Sequence, residues 1–101
     1  MAMIFRDSGI GGKTAIVTGG SRGIGREIVK VLASEGADVS FFYFKSKQAA
    51  DGLTAECIAS GGSATALAVD VRNAEDCRRA AESVLERTDR IDILVNNAGV
   101  I

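Results

Sequence analysis

The chain has 101 residues, 47% hydrophobic and 25% charged, with 12 Lys+Arg against 13 Asp+Glu. That length holds about one domain and one modest core, burying roughly two-thirds of the unfolded surface. The hydrophobic share excludes a disordered tail, a net charge of −1 argues against a nucleic-acid binder, and the lack of His excludes any Ser–His or Cys–His dyad.

Residues 1–11 read as a short N-terminal arm. The first seven, MAMIFRD, meet a charge before any apolar segment forms, so they are not a secretory signal. No run of about 18 apolar residues follows anywhere, so no helix is expected to cross a membrane. Residues 13–18 (KTAIVT) form an apolar run ending in Gly19-Gly20, the pattern of a buried strand. Ile24, Ile28, Val31 and Leu32 then recur at helical spacing, with Gly36 as the C′ stop.

Residues 39–44 (VSFFYF) are β-branched and aromatic, predicting a second strand. Residues 48–59 read as a helix with Leu53, Cys57 and Ile58 on its inner face, ended by Gly61-Gly62. Residues 64–69 (ATALAV) are the third strand, closing on Asp70. Asn73 and Asp76 resemble a capping box, with Asp a shorter reach than Glu. The helix they open carries Cys77, Ala81, Val84 and Leu85 inward until about Arg87. Residues 91–95 (IDILV) form the fourth strand and run into Asn96-Asn97-Ala98-Gly99. Cys57 and Cys77 stand 20 apart without a CxxC partner, which gives neither a metal site nor a disulfide framework and fits a reducing cytoplasm.

The order βαβαβαβ demands parallel strands joined by right-handed crossovers. Residues 12–101 are therefore expected to form an α/β domain with a doubly wound, Rossmann-type sheet of strand order 3-2-1-4. Between the first strand and the first helix stands TGGSRGIG, residues 18–25. A dinucleotide pyrophosphate needs a tight turn, a close backbone and a helix N-terminus aimed at it. Gly19 supplies the turn, Gly23 the approach and Gly25 the close packing of helix on strand. The spacing is G-x3-G-x-G, and no Gly-Lys-Ser/Thr ending follows, which removes kinase and GTPase readings.

TGGSRGIG after the first strand, Asp70-Val71 after the third and NNAG after the fourth together resemble the short-chain dehydrogenase/reductase family in its classical type. Within that family the chain looks most like the 3-oxoacyl-[acyl-carrier-protein] reductases. The resemblance runs from about Gly12 to the last residue. It implies that Gly19, Ser21, Arg22, Gly23, Ile24 and Gly25 line the pyrophosphate and the adenosine ribose. It also implies that Asp70 accepts from the adenine amino group, with the Val71 backbone beside it. Asn97, Ala98 and Gly99 would lie along the cofactor near its ribose, and Asn96 would help tie the central strands.

Cofactor choice is expected at the end of the second strand, where an acid would bind a ribose 2′-hydroxyl and repel a 2′-phosphate. Tyr43 stands there, followed by Phe44 and Lys45, with Lys47 nearby. Arg22 and Lys45 supply positive charge for a phosphomonoester, so NADP(H) is expected over NAD(H).

The family's catalytic Ser, Tyr and Lys lie beyond NNAG, and this sequence stops two residues after Gly99. Tyr43 and Lys47 match Y-x-x-x-K by spacing alone. A Tyr on a strand end and a Lys in the following turn do not share a helix face, so the pair is not a catalytic one. Two functions of different class follow. One is the cofactor-binding portion of an NADP(H)-dependent reductase that turns a 3-oxoacyl thioester-like carbonyl into an alcohol, here without its catalytic segment. The other is a stand-alone NAD(P)-binding module without chemistry. With the sheet incomplete, self-association or docking of a missing C-terminal half is expected.

Overall fold

A computed structural model describes residues 9–97. Its elements run β1 (Thr14–Thr18), α1 (Gly23–Ser34), β2 (Asp38–Tyr43), α2 (Lys47–Ala59), β3 (Ser63–Ala68), α3 (Ala74–Thr88) and β4 (Ile93–Asn96). The four strands are parallel and lie in the order β3-β2-β1-β4. This is the doubly wound half-sheet expected of the alternating pattern.

Each helix ends as its local sequence dictates. After α1 the Gly36 N–H donates to Ala33 O and the Ala37 N–H to Leu32 O, a Schellman closure with Gly36 at C′. Gly61 and Gly62 close α2 the same way, onto Ile58 O and Cys57 O. No glycine follows α3, and Asp89 itself takes the left-handed conformation at φ 68°. At the start of α3, Asn73 Oδ1 accepts from the Asp76 N–H at 3.1 Å. The reciprocal half of the capping box is missing: the Asp76 carboxylate accepts from the Asp70 N–H at 3.4 Å instead. Asp is one methylene too short to reach back to the Asn73 amide.

Period-two alternation sorts the strand side chains onto two faces. Ala15, Val17, Val39, Phe41 and Ala64 turn towards α1 and α2, meeting Val29, Leu32, Ala33, Ala50, Leu53 and Cys57. Ile16 and Phe42 turn the other way, towards Ala80 and Val84 of α3. Two helices thus cover one face, and α3 alone covers part of the other. Ile10, within the predicted arm, packs against the first cluster.

Several predicted boundaries shift by a residue or two, and three inner-face residues turn outward. Ile58 is 60% exposed, Leu85 is 41% exposed and Ile24 is 75% exposed. Leu32, Leu53, Cys57 and Val84 face inward as expected, joined by Ala50 in α2, Ala80 in α3 and Gly25, Val29 and Ala33 in α1. Small residues let these helices approach the sheet closely, which rotates the larger neighbours out. Phe44 falls one residue beyond β2, and Val69 stays buried one residue beyond β3. The strand predicted over 91–95 begins at Ile93, because the Asp92 carboxylate replaces a backbone carbonyl there and accepts from the Thr14 N–H at 2.8 Å.

Candidate functional site: a basic cleft at the strand ends

The turn after β1 is built by close approach. A Cβ at Gly25 would lie 2.2 Å from Gly19 O and 2.5 Å from Asn97 Nδ2, so only glycine fits. Gly19 and Gly23 take positive φ, 65° and 60°, where a side chain is strained. At Gly23 the space that a Cβ would enter is open. Gly20 is a requirement that sequence reading missed: its Cβ would lie 2.6 Å from the Phe41 Cβ and 2.9 Å from Val29 Cγ2. The signal was the doubled glycine itself, because only one of the two is needed for the turn.

The first turn of α1 has neither an acidic residue nor a side-chain cap. Its N–H groups point out of the helix end beside Gly19 and Ser21, a positive end suited to an anion.

Asn97 holds this turn from the other side. Its Nδ2 donates to Gly19 O at 3.2 Å, and its backbone N–H donates to Thr18 Oγ1 at 2.9 Å. Thr18 Oγ1 also lies 3.2 Å from Asn96 Oδ1. Both asparagines therefore tie β1 to β4, a task the sequence reading gave to Asn96 alone. Ala98 and Gly99 lie outside the described residues.

A cleft of about 370 Å³ opens at the C-terminal ends of β1, β2 and β3. The glycine turn contributes Gly19, Ser21 and Arg22, and the end of β2 contributes Phe42, Tyr43, Phe44, Lys45 and Ser46. Val69 and Val71 close the side towards β3. No carboxylate lines it, and among the described residues neither Arg22 nor Lys45 is paired with one. Ser46 is a second residue that sequence reading passed over. It stands at the N-cap of α2, yet its hydroxyl makes no capping bond. Ile24 lies at the mouth of the turn, exposed on the first turn of α1.

Asp70 sits between Val69 and Val71 without lining the cleft. Its Oδ1 accepts from the Arg72 backbone N–H and from Arg72 Nε, both at 3.0 Å, and Oδ2 accepts from Arg72 Nη2 at 3.2 Å. The Arg72 guanidinium, then its backbone N–H, hold this carboxyl below the usual range against a small opposing effect of burial. Oδ1 is saturated, and Oδ2 retains one lone pair for a further donor. Tyr43 ends β2 and Lys47 opens α2, with Lys47 Nζ bound to Asp51 Oδ2 at 2.8 Å. The Y-x-x-x-K spacing does not place the two residues on one helix.

Comparison with known proteins agrees with this geometry. The family model for short chain dehydrogenases matches residues 13–101. The 3-oxoacyl-[acyl-carrier-protein] reductase of Synechocystis sp. is 44% identical over 88 residues, which is 87% of this chain and 36% of that protein. A short-chain dehydrogenase/reductase from Serratia marcescens superposes with a TM-score of 0.87 at 44% identity, covering 90% of this chain and 37% of that one. A short chain dehydrogenase from Burkholderia cenocepacia, solved in complex with NADP, gives a TM-score of 0.85 at 46% identity, with 90% and 37% covered. The chain therefore spans little more than a third of the relatives it matches. A parallel 3-2-1-4 sheet, a glycine turn at the switch point and a family match across nearly the whole sequence give one conclusion: the chain belongs to the short-chain dehydrogenase family.

Proposed function

We propose that this chain is the cofactor-binding portion of an NADP(H)-dependent carbonyl reductase acting on 3-oxoacyl thioester-like substrates. The observation that carries the cofactor choice is the cleft at the end of β2. It presents Arg22 and Lys45 with no carboxylate in its lining, where an acid would mark a free 2′-hydroxyl. The NADP complex of the Burkholderia cenocepacia relative supports the same choice. The substrate class rests on likeness to the Synechocystis 3-oxoacyl-[acyl-carrier-protein] reductase. A cytoplasmic location belongs to the same reading, supported by two unbridged cysteines.

The residues present fit the group. The open space over Gly23 and the uncapped first turn of α1 suit a pyrophosphate. Gly19, Ser21, Ile24 and Gly25 shape that seat, with Asn97 beside it along the cofactor near its ribose. Arg22, Lys45 and the free Ser46 hydroxyl take the 2′-phosphate. The remaining lone pair on Asp70 Oδ2 receives the base amino group, beside the Val71 backbone. The bound dinucleotide supplies hydride to the carbonyl carbon of a substrate. Tyr43, the only tyrosine of the 101 residues, stands among the cofactor-end residues, so in this reading it is not the proton donor for the resulting alkoxide.

The test is a calorimetric titration of the 101-residue chain with NADPH and NADH. NADPH is expected to bind about tenfold tighter, or ~1.4 kcal/mol, and Arg22→Ala is expected to remove most of that difference. Equal affinities, or a difference insensitive to Arg22, would contradict the phosphate site. The alternative reading, a nucleotide-binding module without chemistry, keeps the same cleft and differs only in lacking a substrate.

A further inference from the structure

We propose that Phe44 is the stacking platform for the purine base, and that Arg72, itself fixed by Asp70, holds the ring in position. The proposal rests on reading the cleft as a dinucleotide site. Phe44 stands one residue past the end of β2, lines the cleft and is 51% exposed. An isolated ring at that exposure has little to fix it, but this one is flanked by two cations. The Arg72 guanidinium carbon lies 5.5 Å from its centroid and Lys45 Nζ lies 5.7 Å from it, both within cation–π range. Arg72, though 77% exposed, is oriented by its ion pair with Asp70. Its Nε and Nη2 engage the two oxygens of Asp70 as a fork, which fixes the guanidinium plane.

The order of groups along the ligand places the base here. Phosphates at the α1 N-terminus and a ribose at the end of β2 leave the base to lie between the ends of β2 and β3. That end of the cleft is lined by Phe44, Val69 and Val71, apolar surfaces suited to a flat aromatic ring. Asp70 therefore has a part besides accepting from an amino group: it anchors the cation that anchors the ring. Sequence reading assigned Phe44 to the strand and gave Arg72 no role, since neither residue belongs to a motif.

The experiment titrates the chain with adenosine 2′,5′-bisphosphate and with ribose 2,5-bisphosphate, which carries the same phosphates and no base. The affinity ratio isolates what the base contributes and cancels changes in charge. In the wild type the base is expected to strengthen binding at least about tenfold, the scale of one base–aromatic stack. Phe44→Ala is expected to abolish most of that ratio, Phe44→Trp to keep it, and Arg72→Ala to lower it about threefold. Because Lys45 also lies over the Phe44 ring, the affinity for ribose bisphosphate serves as the reference in each Phe44 variant, and only the ratio is read. Phe44→Leu, which keeps apolar bulk without a ring, is read in the same way should the alanine variant lose its fold by circular dichroism. A base contribution left intact in Phe44→Ala or Phe44→Leu overturns the platform alone. Equal wild-type affinity for the two probes also overturns it, while leaving the phosphate site standing. Binding of neither probe brings down the dinucleotide reading itself, and the platform with it.

Discussion

Asp92 shows how one side chain does the work of a strand residue. Its carboxylate accepts from the Thr14 N–H at 2.8 Å and from Arg90 Nε at 3.0 Å, at the point where the β1–β4 ladder begins. The Thr14 N–H, ahead of the Arg90 charge, holds this carboxyl below its usual range. A folded-state pKa below the unfolded value of about 3.9 means the contribution is complete above that value and is lost as pH falls through the folded one. Asp92→Asn is expected to flatten the acid limb of a melting-temperature profile below about pH 4. Thermal melts with identical acid limbs in both proteins would refute this. The residue scale is also where legibility was most uneven. Gly19, Gly23 and Gly25 were readable because backbone geometry restricts the residue type. Gly20 left only its doubling with Gly19 as a trace, and Ser46, Phe44 and Arg72 left none, because their roles arise from what packs beside them in space.

Among the elements, α3 is joined to the sheet by more than its apolar stripe. Ser40 is fully buried on β2, facing α3, and its hydroxyl accepts from Arg87 Nη2 at 2.9 Å. Arg87 Nη1 donates to Asp38 Oδ2 at 2.7 Å. In the sequence Arg87 marked only the end of the helix, and Ser40 was one residue of an apolar strand. Arg87→Ala leaves a buried hydroxyl without its donor, and the partial exposure of the arginine limits the loss. A destabilisation of about 1 kcal/mol is expected, lowering the melting temperature by about 4–8 °C for a domain of this size. A change under about 1 °C would show that the pair contributes nothing. Strand order and helix sequence were legible because alternation and glycine stops are local signals. The inner faces of α1, α2 and α3 were less so, because Ala and Gly mark a close approach that a count of large apolar residues overlooks.

At the scale of the whole molecule, the two faces of the sheet are unequal. The face beside α3 carries an apolar groove of about 450 Å³ lined by Ile16, Phe42, Val71, Cys77, Ala81, Ile91 and Leu94, with Thr18 and Asn96 at its polar end. Leu94, on β4 at the edge of the described sheet, is 67% exposed. Exposed apolar edges recruit other chains. The 101-residue chain is therefore expected to scatter light as species larger than 10.5 kDa at tens of micromolar. Leu94→Lys, which places a charge on that edge, is expected to reduce the association. A wild-type chain that stays monomeric and melts cooperatively would show the half-sheet to be self-sufficient.

Dinucleotide binding at the C-terminal ends of the strands is tested most directly by amide hydrogen exchange with and without NADP+. Protection is expected in two stretches, residues 19–25 and residues 43–46, with a smaller effect at 70–72. The outer surfaces of α2 and α3 are expected to exchange as before. An exchange pattern unchanged by saturating NADP+, or protection confined to the groove beside α3, would contradict it.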